Sequence, residues 1–293
     1  MTERTGVIIS GAHGWGEFSP FPEYGPVVAA SWLRAALEAA DDGWPKPLRS
    51  SIPVNATIPA VDAATAYEMA SVSKCTTVKV KVAEGDDFSR VEAVRDALGP
   101  AGRIRVDANG AWDIESAERN IKRLARFDLE YVEQPVATVE EMAALRRRID
   151  IPIAADESIR NSADPSRVKK LEAADVVVLK VQPLGGVGTA LRIAEEVGLP
   201  AVVSSALETS IGLAAGLTLA GALPELPFAC GLGTLTLLDG DLVADGLVPI
   251  DGAIEVRRPD PDAESIARHD AGARASEIIE RMNAAAAHGG IDL

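Results

Sequence analysis

Residues 76–107, with the sequence TTVKVKVAEGDDFSRVEAVRDALGPAGRIRVD, contain the repeating unit from which the whole fold is predicted. The unit opens with a β-branched run that alternates in polarity, as a strand does. A helix with apolar residues at 3.6-residue spacing should follow, capped by Asp86 or Asp87 and stopped by Gly99 and Pro100. The unit ends in a second strand, Arg103–Asp107.

This unit recurs along the middle of the chain. The strand-like runs are Ile52–Thr57, Thr76–Val82, Arg103–Asp107, Leu129–Glu133, Ile151–Asp156, Asp175–Lys180, Pro200–Ser205 and Pro227–Gly231. The polar residues at consecutive strand ends, from Lys81 to Gly231, are separated by 26, 26, 23, 24, 25 and 26 residues. Such even spacing is typical of a β/α barrel, and it favours the barrel over an open doubly wound sheet.

The two flanks of the chain lack this alternation. We predict that residues 1–50 form the N-terminal part of a small α+β capping domain, and that residues 51–235 form the barrel. Residues 236–293 should complete the cap with strands and a helix near Glu264–Ala287. The predicted fold class is therefore α/β, a modified TIM barrel of the type (β/α)7β with a small cap.

Composition excludes several function classes. The 293 residues include 44 acidic and 29 basic side chains, and the net charge of −15 argues against binding to nucleic acid. Three His and two Cys are too few for a zinc cage or a disulfide framework. No stretch reaches the roughly 20 strongly apolar residues that a membrane span needs, and no signal peptide is apparent, so we expect a cytoplasmic protein. The oligomeric state, monomer or homo-oligomer, stays open.

Charged residues end five consecutive predicted strands. Asp107, Glu133 and Asp156 end three neighbouring strands, and Lys81 and Lys180 end the strands on either side. Because active sites of β/α barrels lie at the carboxyl ends of the strands, these side chains should meet. Alternation places Lys79 on the same face as Lys81. A lone charged residue at a strand end is commonly a solvated loop residue, and alternating Lys can protect a sheet edge, but five in succession favour a site.

This set of residues predicts a particular chemistry. Three converging carboxylates repel one another unless a cation joins them, and oxygen ligands without His or Cys suit Mg²⁺, or Mn²⁺ in its place. A nearby metal and a second Lys should lower the pKa of an amine toward the range in which it acts as a base. We therefore expect removal of a proton alpha to the carboxylate of a small-molecule substrate.

A glycine-rich loop at 185–188 is a weaker signal. It could hold a phosphate at the start of a helix. Because it lacks a P-loop Lys and a full dinucleotide fingerprint, we interpret it as a flexible barrel loop and predict no organic cofactor.

The strand-end motifs resemble those of the enolase superfamily, in its muconate-lactonising subgroup. The matching stretches are Lys79–Lys81, Asp107–Gly110, Glu133–Pro135, Asp156–Ser158 and Lys180–Pro183. Within the subgroup the chain is most similar to the actinobacterial o-succinylbenzoate synthase family of menaquinone biosynthesis. That similarity rests on Gly14–Phe21, Val54–Thr57, Ser204–Ser210 and Gly231–Thr234.

The resemblance implies a lyase that dehydrates 2-succinyl-6-hydroxy-2,4-cyclohexadiene-1-carboxylate to 2-succinylbenzoate. Lys81 would remove the proton alpha to the ring carboxylate and then protonate the departing hydroxyl, in a syn elimination. Lys180 would act through its charge on the opposite face of the ring. Asp107, Glu133 and Asp156 would bind Mg²⁺.

The resemblance also implies supporting roles around this centre. Lys79 would set the electrostatics of Lys81, and Asn109 and Glu157 would support the metal ligands. Backbone groups of Ser204 and Gly231 would meet the succinyl tail. Family members usually carry a further strand and a mobile loop before the Gly-Trp-Gly-Glu stretch, so the cap is expected to be shortened at its N-terminus.

Two alternatives remain. An N-succinylamino-acid racemase or dipeptide epimerase of the same superfamily would exchange protons between Lys81 and Lys180. Dipeptide epimerases share an Asp-x-Asp pair at the eighth strand end, whereas Asp239–Asp241 begins eight residues beyond Gly231 and is interpreted as a cap turn. The other alternative is an inactive barrel that acts as a binding protein, and the complete set of ligands argues against it.

Overall fold

The computed structural model describes residues 4–293, in which strands and helices alternate along the middle of the chain. The strands are β1 (Val7–Gly11), β2 (Gly14–Phe18), β3 (Ser51–Pro53), β4 (Ala56–Ile58), β5 (Thr77–Lys81), β6 (Arg103–Asp107), β7 (Leu129–Glu133), β8 (Ile153–Ala155), β9 (Val176–Leu179), β10 (Ala201–Val203) and β11 (Ala253–Glu255). Strands β4 to β10 form one parallel sheet in which each strand is bonded to the next in sequence.

Helices follow most strands of this sheet and also occur in both flanks of the chain. They are α1 (Pro26–Leu37), α2 (Ala63–Val72), α3 (Asp87–Leu98), α4 (Ile114–Leu124), α5 (Val139–Arg146), α6 (Glu157–Arg160), α7 (Arg167–Lys170), α8 (Val181–Leu184), α9 (Val187–Val197), α10 (Ser210–Ala222), α11 (Ala263–Arg268) and α12 (Ala275–Gly289). Within residues 4–293 no helix is both long and apolar enough to cross a bilayer.

Isolated bridges close the curled sheet into a barrel. Cys230 pairs with Val54, and Gly231 pairs with Ser204, both in parallel. The predicted eighth run, 227–231, therefore lies between the first and seventh barrel strands, where it makes single bridges and no continuous ladder. The prediction of an α/β barrel of the (β/α)7β type is confirmed.

The prediction that Ile52–Thr57 forms one strand is wrong. The chain changes partners at Val54: β3 pairs antiparallel with β11, whereas β4 pairs in parallel with β5. The Val54 N–H donates to Gly252 O, and the next N–H, of Asn55, donates to Cys230 O. Because neighbouring amides bond to different segments, the run divides into two short strands.

The interior of the barrel is polar along one register. Lys79, Arg105 and Tyr131 are paired across β5, β6 and β7, and all three are buried. The Arg105 guanidinium donates to Glu130 and to Asn55, and it lies 4.8 Å from the centre of the Tyr131 ring. Lys79 therefore points into the barrel, as the alternation of β5 predicts.

Both flanks of the chain contribute to a cap, which we define as β1, β2, α1, α11 and α12. Strands β1 and β2 form an antiparallel hairpin. Phe18, Trp32 and Leu33 are buried with Ala285 of α12 and with Ala206, which follows barrel strand β10. This apolar cluster holds the cap together and joins it to the barrel.

The prediction of one continuous helix near 264–287 is wrong. It is divided into α11 and α12, with a short 3₁₀ turn at Gly272–Arg274 between them. Asp270 accepts the N–H of Gly272, whose φ of +55° favours glycine. This local turn interrupts the helical hydrogen-bond pattern.

Local signals mark the ends of several barrel helices, and those of α3 lie where the sequence predicts them. Asp86 caps α3 by accepting the N–H of Ser89, and Gly99 follows the last residue of that helix with a φ of +66°. Thr138 and Glu141 form a capping box at the start of α5. Barrel helices therefore begin at the face where the strands end.

Candidate active site

The ends of β5, β6 and β7 bring two lysines and two carboxylates together. Lys79 Nζ lies 2.9 Å from Glu133 Oε1 and 3.3 Å from Asp107 Oδ2. Lys81 Nζ lies 2.6 Å from the same Asp107 oxygen and 2.7 Å from Asn109 Oδ1. This cluster follows from the parallel register of the strands, which pairs Lys81 with Asp107 and Asp107 with Glu133.

A second group of charges follows β8 and β9. Lys180 Nζ lies 2.6 Å from Asp156 Oδ2, and Arg160 Nε lies 3.1 Å from Asp156 Oδ1. Arg160 Nη2 also donates to Glu157 Oε1 at 2.7 Å. Asn109 Nδ2 donates to the same Glu157 oxygen at 3.2 Å, and this bond connects the two groups.

The result is one continuous chain of polar contacts across five strand ends, which we call the charged network. Its members are Lys79, Lys81, Asp107, Asn109, Glu133, Asp156, Glu157, Arg160 and Lys180. It includes eight of the ten site residues predicted from the sequence. Ser204 and Gly231 lie apart from it and contact each other.

Burial and mutual repulsion set the charge of the carboxylates around β6 and β7. Burial raises the pKa of Glu133, the Asp107 charge raises it further, and it reaches about 7. Burial also raises the pKa of Asp107, but the charges of Lys81 and Lys79 outweigh burial and hold it below the usual range. Burial lowers the pKa of Lys79, yet Glu133 and Asp107 reverse this, so that Lys79 is held in its charged form.

Around Asp156, the negative charges of the carboxylates are balanced by the positive charges of Lys180 and Arg160. Burial raises the pKa of this fully buried carboxyl, but the charges of Lys180 and Arg160 lower it overall. Burial lowers the pKa of the Arg160 guanidinium, and the charges of Asp156 and Glu157 raise it more. Glu133 is thus the carboxyl in the network whose negative charge is least well compensated.

Strained backbone clusters at the same face. Residues with positive φ follow the ends of β5, β6, β7 and β10: Ala83 (+69°), Asn109 (+47°), Gln134 (+36°) and Leu207 (+63°). Such non-glycine conformations cost free energy and persist where the surroundings enforce them. Gln134 shows how: its Oε1 accepts the N–H groups of both Asp156 and Ser158, so this side chain sets the loop that carries Asp156.

The donor set of the network fits a hard cation. Asp107, Glu133 and Asp156 are each at most 1% exposed and offer only oxygen ligands. Glu157 follows Asp156 in the sequence, and its Oε2 atom is buried without a hydrogen-bond partner. As the side chains of residues 4–293 now lie, no group of three or more His, Cys, Asp or Glu could hold a metal ion. Lysine and arginine groups contact the three carboxylates instead, so a cation would have to replace some of these ion pairs.

Sequence reasoning missed two residues of this site. Arg160 bridges Asp156 and Glu157, and Tyr24 Oη of the cap accepts from Arg160. The position of Arg160, four residues after Asp156, is a usable signal, because residues at this spacing face each other when the segment is helical. Tyr24 gave no such signal, since it lies more than 130 residues away in sequence.

Ser204 and Gly231 meet at the seventh and eighth strand ends. Ser204 Oγ donates to Gly231 O at 3.3 Å, and the two residues form a parallel bridge. A Cβ added to Gly231 would lie 2.5 Å from Ser204 Oγ. This close approach explains why residue 231 has no side chain.

Two other segments considered as ligand sites, the glycine-rich loop and Asp239–Asp241, are hydrogen-bonded to other residues of the chain. The amides of Val187 and Gly188, at the glycine-rich loop, donate to the Glu38 carboxylate, which therefore stands where a phosphate would bind. Asp241 accepts both the N–H and the hydroxyl of Ser210 at the start of α10. The sequence predicts a flexible loop at 185–188, whereas the structure shows it held by the Glu38 carboxylate. Asp241 is hydrogen-bonded within the chain itself, at the start of α10.

A cavity of about 630 Å³ lies beside the cap. Its walls include Arg4, Glu17, Thr209, His269 and Ile279. No member of the charged network lines this cavity, so it is separate from the strand-end cluster.

Known proteins share both parts of this architecture. Residues 61–261 match the family described as Enolase C-terminal domain-like, and residues 1–40 match Enolase N-terminal domain-like. The o-succinylbenzoate synthase of Thermobifida fusca is 61% identical over 91% of this chain and 86% of its own length. The o-succinylbenzoate synthase of Mycolicibacterium smegmatis is 51% identical over 91% and 84%.

Solved structures show the same fold. The crystal structure of N-succinyl Arg/Lys racemase from Bacillus cereus is 26% identical, with a TM-score of 0.68, over 76% of this chain and 64% of that protein. The matched domains, the strand-end network and the high identity to curated relatives agree. The chain therefore belongs to the enolase superfamily and, within it, to the o-succinylbenzoate synthase family.

Proposed function

We propose that this chain is an o-succinylbenzoate synthase, a Mg²⁺-dependent hydro-lyase of menaquinone biosynthesis. It dehydrates 2-succinyl-6-hydroxy-2,4-cyclohexadiene-1-carboxylate to 2-succinylbenzoate. The observation that carries the proposal is the charged network, in which Lys81 and Lys180 lie on either side of three buried carboxylates. The curated relatives at 61% and 51% identity support the same reaction.

Lys81 acts as the base. Its neutral amine takes the proton alpha to the substrate carboxylate, and the electron pair of that C–H bond moves into an enediolate. The C–O bond to the ring hydroxyl then breaks as the ring becomes aromatic, and the Lys81 ammonium gives the same proton to the departing oxygen, which leaves as water. Asp107 and Asn109 accept hydrogen bonds from Lys81 Nζ and so set its position.

Lys180 acts through its charge. It is held by Asp156 at the opposite end of the network from Lys81, so an ammonium at this position stabilises negative charge that develops on the ring. Lys79 is fixed between Glu133 and Asp107, where its charge influences Lys81 through the carboxylate that they share. Ser204 and Gly231 would offer backbone groups to the succinyl tail.

Asp107, Glu133 and Asp156 would hold the Mg²⁺ ion, and Asn109 and Glu157 would orient these ligands. When bound, the cation supplies positive charge beside the substrate carboxylate as the enediolate forms. Mn²⁺ has the same preference for oxygen ligands and could replace it.

One assay tests the reaction and the base together. The purified protein with Mg²⁺ should convert the cyclohexadiene substrate, followed by the rise in aromatic absorbance. Lys81→Ala should reduce kcat by roughly 10²- to 10⁴-fold, as expected for loss of a general base. Lys122→Ala removes an exposed Lys paired with Glu118 and should leave kcat unchanged. No turnover by the wild type would reject the synthase, and full activity of Lys81→Ala would reject the assigned base.

Proton exchange on both faces of a substrate is the second candidate. Both lysines are present on either side of the carboxylates, and the similar Bacillus cereus structure is named a racemase. Incubation of N-succinylamino acids in deuterium oxide tests this: a racemase exchanges the alpha proton of both enantiomers. Exchange without any dehydration of the cyclohexadiene substrate would favour the racemase over the synthase.

A further inference from the structure

The barrel helices begin in two different ways at the site face. Helices α2, α3, α4 and α5 are each capped by the side chain of the residue just before them: Asp62, Asp86, Asp113 and Thr138. Helices α9 and α10 also receive a carboxylate from a distant part of the chain, as described below. Helix α9 has no side-chain cap from its preceding residue Gly186, whereas Thr209 caps α10 by accepting the N–H of Ile211. These two helices follow the sixth and seventh barrel strands, whose ends carry Lys180 and Ser204.

Glu38, which directly follows α1 of the cap, caps α9. Its two carboxylate oxygens accept one amide each: Oε2 accepts from Val187 N at 2.5 Å, and Oε1 accepts from Gly188 N at 2.9 Å. A Cβ added to Gly186 would lie 2.5 Å from Glu38 Oε2, so this contact needs glycine there. Lys180 stands immediately before α8, and Glu38 holds the next helix, so the segment behind Lys180 is fixed from the cap.

Glu17 of β2 caps α10 in a different manner. A single oxygen, Oε2, accepts from Thr209 N at 3.1 Å, Thr209 Oγ1 at 2.5 Å and Gly212 N at 3.1 Å. The other oxygen, Oε1, accepts from Ser19 Oγ at 2.6 Å and, at the longer distance of 3.4 Å, from Thr209 N. Glu17 is 5% exposed, so these bonds are made away from solvent.

The loop held by Glu17 is one that needs support. It runs from Ser204 to Thr209 and includes Leu207, whose φ of +63° is unfavourable for a branched side chain. Both carboxylate oxygens of Glu208 accept the N–H of Ala206, and Arg4 donates to Ala206 O. Without an anchor at Thr209, the strain in this loop would favour its rearrangement.

We propose that Glu17 and Glu38 are positioning residues for the reaction, through which the cap sets the geometry of the seventh and sixth strand-end loops. Glu38 positions Lys180, and Glu17 positions Ser204 and the segment that follows it. Neither Glu contacts the charged network, so each acts through the backbone of the helix that it caps. The kinetic part of this inference rests on the proposed function.

Alanine variants separate the two effects in steady-state kinetics. Glu38→Ala should lower kcat roughly 10- to 100-fold with a small change in KM, because a misplaced Lys180 affects the reacting ring. Glu17→Ala should raise KM by a similar factor with a smaller change in kcat, because its loop faces the remote succinyl tail. A purely stabilising role would move neither constant at a temperature where the variant is folded.

Glutamine variants give a sharper test, because the two carboxylates are used differently. Glu17→Gln keeps the oxygen that receives the three shorter bonds to α10, and its amide can donate to Ser19 Oγ, so KM should return close to the wild-type value. Glu38→Gln places an amide NH₂ against a backbone N–H, so kcat should stay low. Equal behaviour of the two glutamine variants would contradict the proposed geometry.

Asp113→Ala is the matched control. It removes the cap of α4, which the helix's own preceding residue supplies, and it should reduce stability while leaving kcat and KM unchanged. If Glu17→Ala and Glu38→Ala behave like Asp113→Ala, the proposal is wrong. Amide hydrogen exchange gives a readout independent of turnover: Glu38→Ala should speed exchange in residues 181–190 and Glu17→Ala in residues 205–213. A wild type without turnover would reject the proposed function, and unchanged exchange would reject the positioning role.

Discussion

At the scale of single residues, positively charged side chains and a divalent cation would compete for the same three carboxylates. Lysine and arginine groups contact Asp107, Glu133 and Asp156 in the structure, and a divalent cation would need the same oxygens. Glu133 carries the least compensated charge of the three, because burial and the Asp107 charge raise its pKa to about 7. Added positive charge therefore relieves repulsion there first.

Magnesium should stabilise the folded protein through these residues. A ligand that binds the native state alone raises the unfolding temperature, and we expect an increase of roughly 5 °C at saturating Mg²⁺. Glu133→Gln should reduce this increase to near zero in a thermal denaturation series. Glu130→Gln changes an acid on the same strand that pairs with Arg103 and Arg105, and it should keep the full increase. Equal increases in both variants would show that Mg²⁺ binds elsewhere.

At the scale of elements, helix ends and strand ends meet on one face of the barrel. Two buried carboxylates lie at the loop between β10 and α10: Glu208, which belongs to the loop, and Glu17 of β2, which contacts Thr209. Burial raises the pKa of Glu208, the Glu17 charge raises it further, and it reaches about 7, while Arg4 partly offsets the shift. This junction should therefore respond to pH.

The sign of that response follows from proton binding. Below pH 4.5 Glu208 is protonated in the folded and unfolded protein, and its contribution to stability is fully present. As the pH rises toward 7, the unfolded protein releases this proton while the folded protein retains it, so the contribution is lost. Glu208→Gln cannot ionise and should gain stability relative to the wild type over this window, by up to roughly 3 kcal/mol. Urea denaturation at pH 4.5 and pH 7.5 measures the change, and a pH-independent difference would contradict the assignment.

At the scale of the whole molecule, the cap and the barrel share packing as well as hydrogen bonds. The buried cluster of the cap includes Ala206 of the barrel, and strand β2 lies directly against α1. Gly16 permits that approach, since an added Cβ would lie 1.9 Å from Ala36 O. A displacement of β2 would also move Glu17, the next residue.

Gly16→Ala should therefore disturb the whole assembly. We expect a loss of roughly 1–3 kcal/mol in the free energy of unfolding, because the backbone of α1 cannot move aside without cost. Gly25→Ala is the matched control: an added Cβ would have no neighbour within 4 Å, and stability should change little. Chemical denaturation of the two variants distinguishes these outcomes, and equal stability would show that β2 and α1 tolerate separation.

Much of the barrel and of the charged cluster could be predicted from the sequence. The polar strand ends recur every 23 to 26 residues, and parallel strands in sequence order place successive ends side by side. Asp107, Glu133 and Asp156 lie at three neighbouring strand ends for this reason. Local signals, such as the capping box at Thr138, likewise need only a few neighbouring residues.

Contacts between distant segments could not be predicted in this way. Glu17 caps a helix that begins 193 residues later, and Glu38 caps one 149 residues later, with no periodic pattern to relate them. The division of Ile52–Thr57 depends on β11, and the bond from Arg160 to Tyr24 depends on where the cap lies. The sequence by itself determined the barrel and its strand-end chemistry, because these follow from local periodicity. Only the tertiary structure decided how the cap holds the site, because that depends on packing between segments remote in sequence.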